Sequence, residues 1–118
     1  MTQPPTQPLS NLATLPAICE IMGQSANIAE LCQLNHVARL EIFGSAVNTT
    51  FDPITSDLDF LVEFSINTPE GAADRFFSLK QGLGEILGHA IDLVEINTIK
   101  NPYFFQAIAP SRLTIYGN

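Results

Sequence analysis

The sequence is short of charged residues, and of basic residues above all. Charged residues make up 14% of its 118 residues, against roughly 25% in an average soluble protein. Five Lys and Arg face twelve Asp and Glu, which gives a net charge of -7. A chain that grips a nucleic-acid backbone needs clustered basic side chains to neutralise phosphates, and here the basic residues are scattered. The composition therefore argues against direct nucleic-acid binding and favours a basic or neutral protein as partner.

Cysteines and long apolar runs are also scarce. The two cysteines, Cys19 and Cys32, fall in segments patterned as amphipathic helices, where a buried free thiol is the ordinary expectation. No apolar run approaches the roughly 18 to 20 residues that a membrane span needs. The chain does not open on a basic segment followed by an apolar one, as a secretory signal does. We therefore expect a cytoplasmic protein without membrane association.

The length predicts one domain with a modest core. Residues 1–9, rich in proline, glutamine and threonine, predict a disordered leader, and residues 10–118 predict a single domain. Apolar periodicity predicts helices from residue 10 or 14 to about 22, and over 25–34, 68–88 and 101–108. Short apolar runs predict strands over 37–43, 58–64, 90–96 and 113–116. The expected fold class is α/β (α+β), with about four strands flanked by helices.

The segment from residue 40 to 62, LEIFGSAVNTTFDPITSDLDFLV, carries the first candidate site. Gly44 and Ser45 follow a strand, where the glycine lets the backbone approach a ligand and the serine offers a hydroxyl and an amide to an anion. Asp57 and Asp59 are two residues apart, so they share one face of the next strand. Two like charges held side by side are tolerable when a cation sits between them. The pattern predicts a divalent metal site beside a phosphate-binding turn.

A third aspartate interrupts a later apolar strand, AIDLVEI. Alternation places Asp92 on the same face as Ala90 and Val94, where the strand is expected to be dry. Magnesium prefers oxygen ligands, and in two-metal sites the ions lie roughly 3.5 to 4 Å apart, serving the leaving group and the incoming hydroxyl. Asp57 and Asp59 fit the ligand role, and Asp92 would complete the second site or act as a base. These residues together predict nucleotidyl transfer.

With these residues the sequence resembles the minimal nucleotidyltransferases of the DNA polymerase beta superfamily, and most closely the antitoxins paired with HEPN-domain ribonuclease toxins. The resemblance runs from about residue 27 to 116 and implies a nucleotidyltransferase-like mixed sheet. It also implies two Mg²⁺ ions, ATP as substrate and transfer of AMP to a tyrosine of a toxin partner. The resemblance assigns catalysis and metal binding to Asp57, Asp59 and Asp92, and nucleotide-phosphate binding to Gly44 and Ser45.

The sequence departs from the common family pattern after the Gly-Ser turn. Many members carry an arginine there, and this chain carries Asn48. Two further interpretations stay open beside an active protein adenylyltransferase. One is a weakly active or inactive antitoxin that neutralises its toxin by binding. The other is a transferase for a small molecule such as an aminoglycoside, although such enzymes generally hold the acceptor with a second domain that this chain has no residues to build.

Overall fold

The computed structural model describes residues 16–44, 57–108 and 112–117. The predicted leader, Ser45 and Asn48 lie outside the described residues. The helices are α1 (Pro16–Gly23), α2 (Ser25–Leu34), α3 (Ala72–Leu87), α4 (Pro102–Ile108) and the short 3-10 helix η1 (Ile96–Thr98). The strands are β1 (Val37–Phe43), β2 (Leu58–Phe64), β3 (Ile91–Glu95) and β4 (Leu113–Tyr116).

These four strands form one mixed sheet in the order β3-β2-β1-β4. Strand β1 runs antiparallel to β2 and to β4, whereas β2 and β3 are parallel and are joined through α3. The register places Phe43 opposite Asp59, and Asp59 opposite Asp92. The predicted mixed sheet of about four strands flanked by helices is therefore confirmed, and each predicted strand is present to within one residue at each end.

One face of the sheet and the first three helices enclose the main core. Alternation along the strands directs every second residue to this face, and burying a large aliphatic side chain there contributes about 1.5–3 kcal/mol. The core residues of the sheet include Leu40, Ile42, Leu58, Phe60, Val62 and Leu93. They meet Ile18 and Ile21 of α1, Ile28 and Cys32 of α2, and Leu79, Leu83 and Leu87 of α3.

The second face of the sheet is partly covered, and α4 lies against it. The ring centroids of Phe43 and Phe104 are 5.9 Å apart with their planes 78° from each other, an edge-to-face contact. Leu61 and Glu41 on this face are also buried. Nearer the start of β3 on the same face, Ala90 and Asp92 are exposed.

The buried faces of the first two helices differ from the prediction. The sequence predicted a buried stripe in α1 that includes Ile18, Cys19 and Met22; Ile18 is buried, together with Ala17 and Ile21, whereas Cys19 and Met22 are exposed. In α2 the predicted apolar position Leu34 is 71% exposed, although Cys32 is buried as expected. Short helices with apolar residues on several sides do not define one face by periodicity alone.

Helix α3 begins later than its capping signals predict. It starts at Ala72, because Gly71 is in the left-handed region at φ 73°. The preceding segment is instead held as a loop by Arg75, whose guanidinium donates to the carbonyls of Glu70, Ile66 and Thr68. The helix ends at Gly88, again left-handed at φ 69°, as predicted. None of the helices in the described ranges is both long and apolar enough to cross a bilayer.

Candidate active site

Three strand ends meet where the predicted site residues lie. Gly44 directly follows β1, and Asp59 and Asp92 are the second residues of β2 and β3. Because β1 is antiparallel to β2 and β2 is parallel to β3, the end of the first strand meets the beginnings of the other two. The sheet therefore brings Gly44, Asp59 and Asp92 together, as the sequence predicted.

Gly44 occupies a position that no other residue fits without a shift. Its φ is 77°, a left-handed conformation that L side chains rarely adopt. A Cβ atom built on this residue would lie 2.7 Å from Oδ2 of Asp59. The missing side chain thus allows the backbone at Gly44 to approach the carboxylate of Asp59 closely.

The surroundings of Asp59 disfavour the charged form of its carboxyl group. Partial burial is the main cause that raises its pKa, from the ordinary 3.8 to about 6, and the negative charges of Asp92 and then Asp57 add to the effect. A hydrogen bond with the side chain of Asp92 also favours the protonated form of Asp59. Carboxylates that crowd one another in this way are stabilised by a cation.

The three aspartates differ in exposure. Asp59 is half-buried, Asp57 is exposed immediately before β2, and Asp92 is exposed on the edge strand. The expectation that Asp92 lies in a dry part of its strand is therefore wrong, since the face that it shares with Ala90 is not covered at this end. An exposed carboxylate there is accessible to ligand and needs no buried partner.

The carboxylates of the site can bind magnesium if the phosphates of a substrate supply the remaining ligands. Carboxylate oxygens are hard ligands, and Mg²⁺ is commonly held by one or two carboxylates together with substrate phosphates. Among residues 16–44, 57–108 and 112–117, no three acidic, histidine or cysteine side chains converge closely enough to hold a metal ion by themselves. Asp59, which lies next to the backbone of Gly44, and its neighbour Asp92 could supply the first two ligands of a magnesium ion.

Sequence reasoning missed a buried acidic residue on the same face as Asp59. Glu41 is 6% exposed, and Arg112 binds both of its oxygens at 3.2 and 2.6 Å. Arg39 lies 3.5 Å from the same carboxylate, and the guanidinium of Arg112 also lies 5.8 Å from the ring centroid of Phe105. The signal was present in the sequence, because a carboxylate inside the apolar run LEIF needs a partner just as Asp59 does.

Two other reactive side chains lie outside the site. Burial raises the pKa of the Cys32 thiol to about 12, which makes it an inert core residue. His89, interpreted from the sequence as a loop histidine, has its Nε2 3.1 Å from Oε2 of Glu20. Neither residue contributes to the three strand ends.

Comparison with known proteins agrees with this arrangement of strands and carboxylates. The family model for the nucleotidyltransferase domain matches residues 27–113. The chain belongs to this family. The matched region contains Gly44 and all three aspartates.

One curated relative and several solved structures are similar to this chain. The relative is a predicted protein adenylyltransferase of Methanocaldococcus jannaschii, 35% identical over 97 residues that span 82% of this chain and 93% of the relative. A structure described as a predicted minimal nucleotidyltransferase aligns with a TM-score of 0.63 at 24% identity, covering 79% of this chain and 90% of the other. The complex of a tri-AMPylated Shewanella oneidensis HEPN toxin with its MNT antitoxin aligns with a TM-score of 0.57 at 19% identity, covering 83% and 73%. These structures show that the fold of this chain is similar to that of minimal nucleotidyltransferases, including MNT antitoxins.

Proposed function

We propose that this chain is a magnesium-dependent adenylyltransferase that transfers AMP from ATP to a tyrosine of a HEPN-type ribonuclease toxin and thereby acts as its antitoxin. The observation that carries the proposal is the proximity of Asp59 and Asp92 on paired strands, beside the backbone of Gly44. This arrangement places crowded carboxylates next to a backbone position without a side chain, which suits a metal ion and the phosphates of a nucleotide.

The proposed reaction is a substitution at the α-phosphorus of ATP. The acceptor hydroxyl oxygen forms a bond to this phosphorus, and the bond from the phosphorus to the oxygen bridging to the β-phosphate breaks. The products are an AMP diester on the acceptor and pyrophosphate. Bound magnesium would supply charge neutralisation for the triphosphate. The hydroxyl proton leaves to a carboxylate, for which the exposed Asp92 is the best placed.

The site residues divide into two groups in this proposal. Asp57, Asp59 and Asp92 would hold magnesium together with the phosphates of the substrate. Gly44 would let the phosphates approach the backbone because it has no side chain, and Ser45, the next residue in the sequence, would offer its hydroxyl and amide to them. The raised pKa of Asp59 means that a cation is favoured at the site at neutral pH, since it relieves the repulsion between the carboxylates.

Two comparisons support AMP as the transferred group and a protein as the acceptor. The relative from Methanocaldococcus jannaschii is described as a predicted protein adenylyltransferase. Solved complexes of similar fold contain an AMPylated HEPN toxin and AMP-PNP. The acidic net charge of -7 also suits a protein acceptor with a basic surface.

The test is mass spectrometry of a HEPN-domain ribonuclease after incubation with this protein, ATP and magnesium. We expect the mass of one AMP or more on the ribonuclease, located on tyrosine by fragmentation. The matched control is Asp59→Asn, which keeps the size of the side chain and removes the charge. A ribonuclease that stays unmodified with the wild-type chain and magnesium would contradict the proposal.

A binding-only antitoxin is the second candidate, and Asn48 favours it because the cation common at this position in the family is absent. The double variant Asp57→Asn with Asp59→Asn separates the two candidates in a growth assay with the toxin. Neutralisation by binding would survive this double substitution. Neutralisation by AMP transfer would be lost with it.

A further inference from the structure

Strand β3 lies at an edge of the sheet and presents unpaired backbone groups. Only β2 pairs with it among the described strands. The N–H of Leu58 donates to the carbonyl of Ala90, so the backbone groups of residues 90, 92 and 94 point towards β2. Those of Ile91, Leu93 and Glu95 consequently point outward, where the carbonyl of Glu95 accepts a hydrogen bond from the hydroxyl of Thr98. The edge along Ile91, Leu93 and the N–H of Glu95 can therefore accept one more strand.

An apolar groove follows this edge on the side of α3. The ring of Phe77 is 62% exposed, and it lines a groove of about 410 Å³ together with Phe76, Leu93 and Val94. A second depression of about 350 Å³ continues from Phe77 to Ile91. Alternate side chains of an added strand would enter this groove, while those between them would point to the opposite face, which carries Asp92.

The charges around the edge select the class of partner. Exposed Asp92 and half-buried Glu95 lie on β3 itself, and Asp74 and Glu85 line the outer side of Phe77. Lys80 lines the second depression, so these groups comprise four acidic side chains and one basic side chain. A second copy of this chain, paired symmetrically along β3, would bring these carboxylates together, and such like-charge pairs are destabilising. An extended segment with basic flanks and apolar anchors is complementary to the edge.

We propose that the acceptor protein binds by adding an extended, basic segment to the free edge of β3. The inference rests on the proposed function and deepens it, because it names how a single domain holds its acceptor. In this register the side chain opposite Asp92 points to the carboxylates, and its two neighbours fill the groove at Phe77. The modified hydroxyl therefore lies between two apolar anchors.

In this arrangement, each bond that forms during AMP transfer is matched by a bond that breaks. The hydroxyl oxygen of the added strand bonds to the α-phosphorus of ATP, pyrophosphate leaves with the electrons of the broken P–O bond, and the hydroxyl proton passes to Asp92. No further reactant is required. The acceptor segment must be extended at the moment of transfer, even where it belongs to a helical protein.

The direct test uses the full chain, labelled with ¹⁵N, and the synthetic peptide KKVYVKK at millimolar concentration. We expect the amide signals of Ile91, Leu93 and Glu95 to shift saturably and to become protected from exchange. Largest shifts on β4, or no saturable shift on β3, would overturn the proposal. With ATP and magnesium added, β3 shifts without AMP on the peptide would uphold docking and contradict the proposed function, whereas AMP without β3 shifts would do the reverse.

Two pairs of variants sharpen this test. Glu95 has φ -80°, which proline accepts, so Glu95→Pro removes an outward N–H without touching the pairing with β2. Glu95→Ala loses the same carboxylate and keeps the N–H. We expect Glu95→Pro to bind the peptide about tenfold more weakly than Glu95→Ala, as for one lost hydrogen bond. Thermal melting of both variants verifies that they fold, and equal peptide affinities would overturn the proposal.

The second pair tests the groove. Phe77→Ser removes the exposed ring beside β3, and Leu34→Ser changes a similarly exposed residue of α2, 71% exposed, outside the groove. We expect Phe77→Ser alone to weaken peptide binding, with the affinity for ATP unchanged in both variants. Equal peptide affinities of the two variants would contradict the groove as the docking site.

Discussion

The carboxylate of Asp59 lies against the backbone of Gly44, so closely that a Cβ atom at Gly44 would stand 2.7 Å from Oδ2. The two residues belong to antiparallel neighbours, since Phe43 pairs with Asp59 in the register of β1 and β2. The contact therefore couples the shape of the turn to the position of the carboxylate. A change at either residue is expected to disturb the other.

Gly44→Ala is the sharpest test of this contact. The substitution introduces the steric clash and also places a side chain at φ 77°, which costs about 1–2 kcal/mol. We expect a lower free energy of unfolding in urea and a loss of most adenylyl transfer. Gly23→Ala is the control, because a Cβ at that helical position meets nothing within 4 Å. It should leave adenylyl transfer unchanged and should raise the free energy of unfolding slightly, since alanine favours a helix more than glycine does.

The raised pKa of Asp59 predicts an unusual pH dependence of stability without divalent cations. Between the ordinary value of 3.8 and the folded value of about 6, the folded state holds a proton that the unfolded state has released. Stability contributed by this group is therefore present below pH 3.8 and is lost as the pH rises through 6. The loss is of order 1 kcal/mol after allowance for solvent screening.

Urea unfolding in EDTA across this pH range measures the effect, with Asp59→Asn for comparison. The asparagine variant removes the titrating group, so its stability should exceed that of the wild type increasingly as the pH rises from 4 to 6. Carboxylates that do not interact with Asp59 contribute equally to both proteins and cancel, so the difference reports on Asp59 together with its neighbours Asp92 and Asp57. Parallel curves for the two proteins would contradict the prediction.

Magnesium is expected to stabilise the folded chain in the presence of a nonhydrolysable ATP analogue. A ligand that binds only the folded state raises its stability by mass action, and the crowded carboxylates of Asp59 and Asp92 are the proposed binding site. We expect an increase in melting temperature with magnesium for the wild type and little increase for Asp59→Asn. Asp74→Asn removes the same charge from an exposed position in the first turn of α3 and should respond like the wild type.

The buried pair of Glu41 and Arg112 predicts a large loss of stability from a change that touches none of the three aspartates of the proposed site. Arg112→Met removes the bidentate partner at 2.6 and 3.2 Å and leaves a carboxylate that is 6% exposed with only Arg39. Breaking a buried pair on one side costs about 3–5 kcal/mol, and the partial exposure of Arg112 places the expected loss near the lower end. Chemical denaturation measures this loss.

A double variant shows whether the loss of stability comes from the unpaired Glu41 carboxylate or from lost packing. Glu41→Leu combined with Arg112→Met removes both charges, and we expect it to recover much of the stability lost in Arg112→Met. Glu85→Ala, which breaks the exposed hydrogen bond with Gln81, should cost less than about 0.5 kcal/mol. A double variant no more stable than Arg112→Met would show that the stranded carboxylate is not the cause.

The strands were predictable because their apolar runs were short and bounded by turns. The pairing of Asp59 with Asp92 was not, since register between strands distant in sequence depends on how α3 packs across the sheet. Alternation assigned Asp92 to a face correctly, but it could not tell whether that face is covered at the edge strand. The prediction that its surroundings are dry failed for this reason.

The helices were predictable in position and less so in orientation. The eight residues of α1 are apolar on several sides, and only the tertiary contacts decide that Ile21 is buried while Met22 is 56% exposed. Gly82 in α3 illustrates a related limit. Its Cβ would lie 2.6 Å from Leu31, so a residue that weakens the isolated helix permits close packing against α2.

The parallel crossover from β2 through α3 to β3 also makes the site a property of the completed sheet. Local opening is easiest at edge strands and termini, and when β3 detaches, Asp92 leaves Asp59 although β1 and β2 can stay paired. A nucleotide bridging the two carboxylates through its metal would therefore act as a clamp on the outermost strand. Hydrogen exchange of the β3 amides would then slow whenever substrate is bound, and the enzyme would be most rigid at the moment it is loaded.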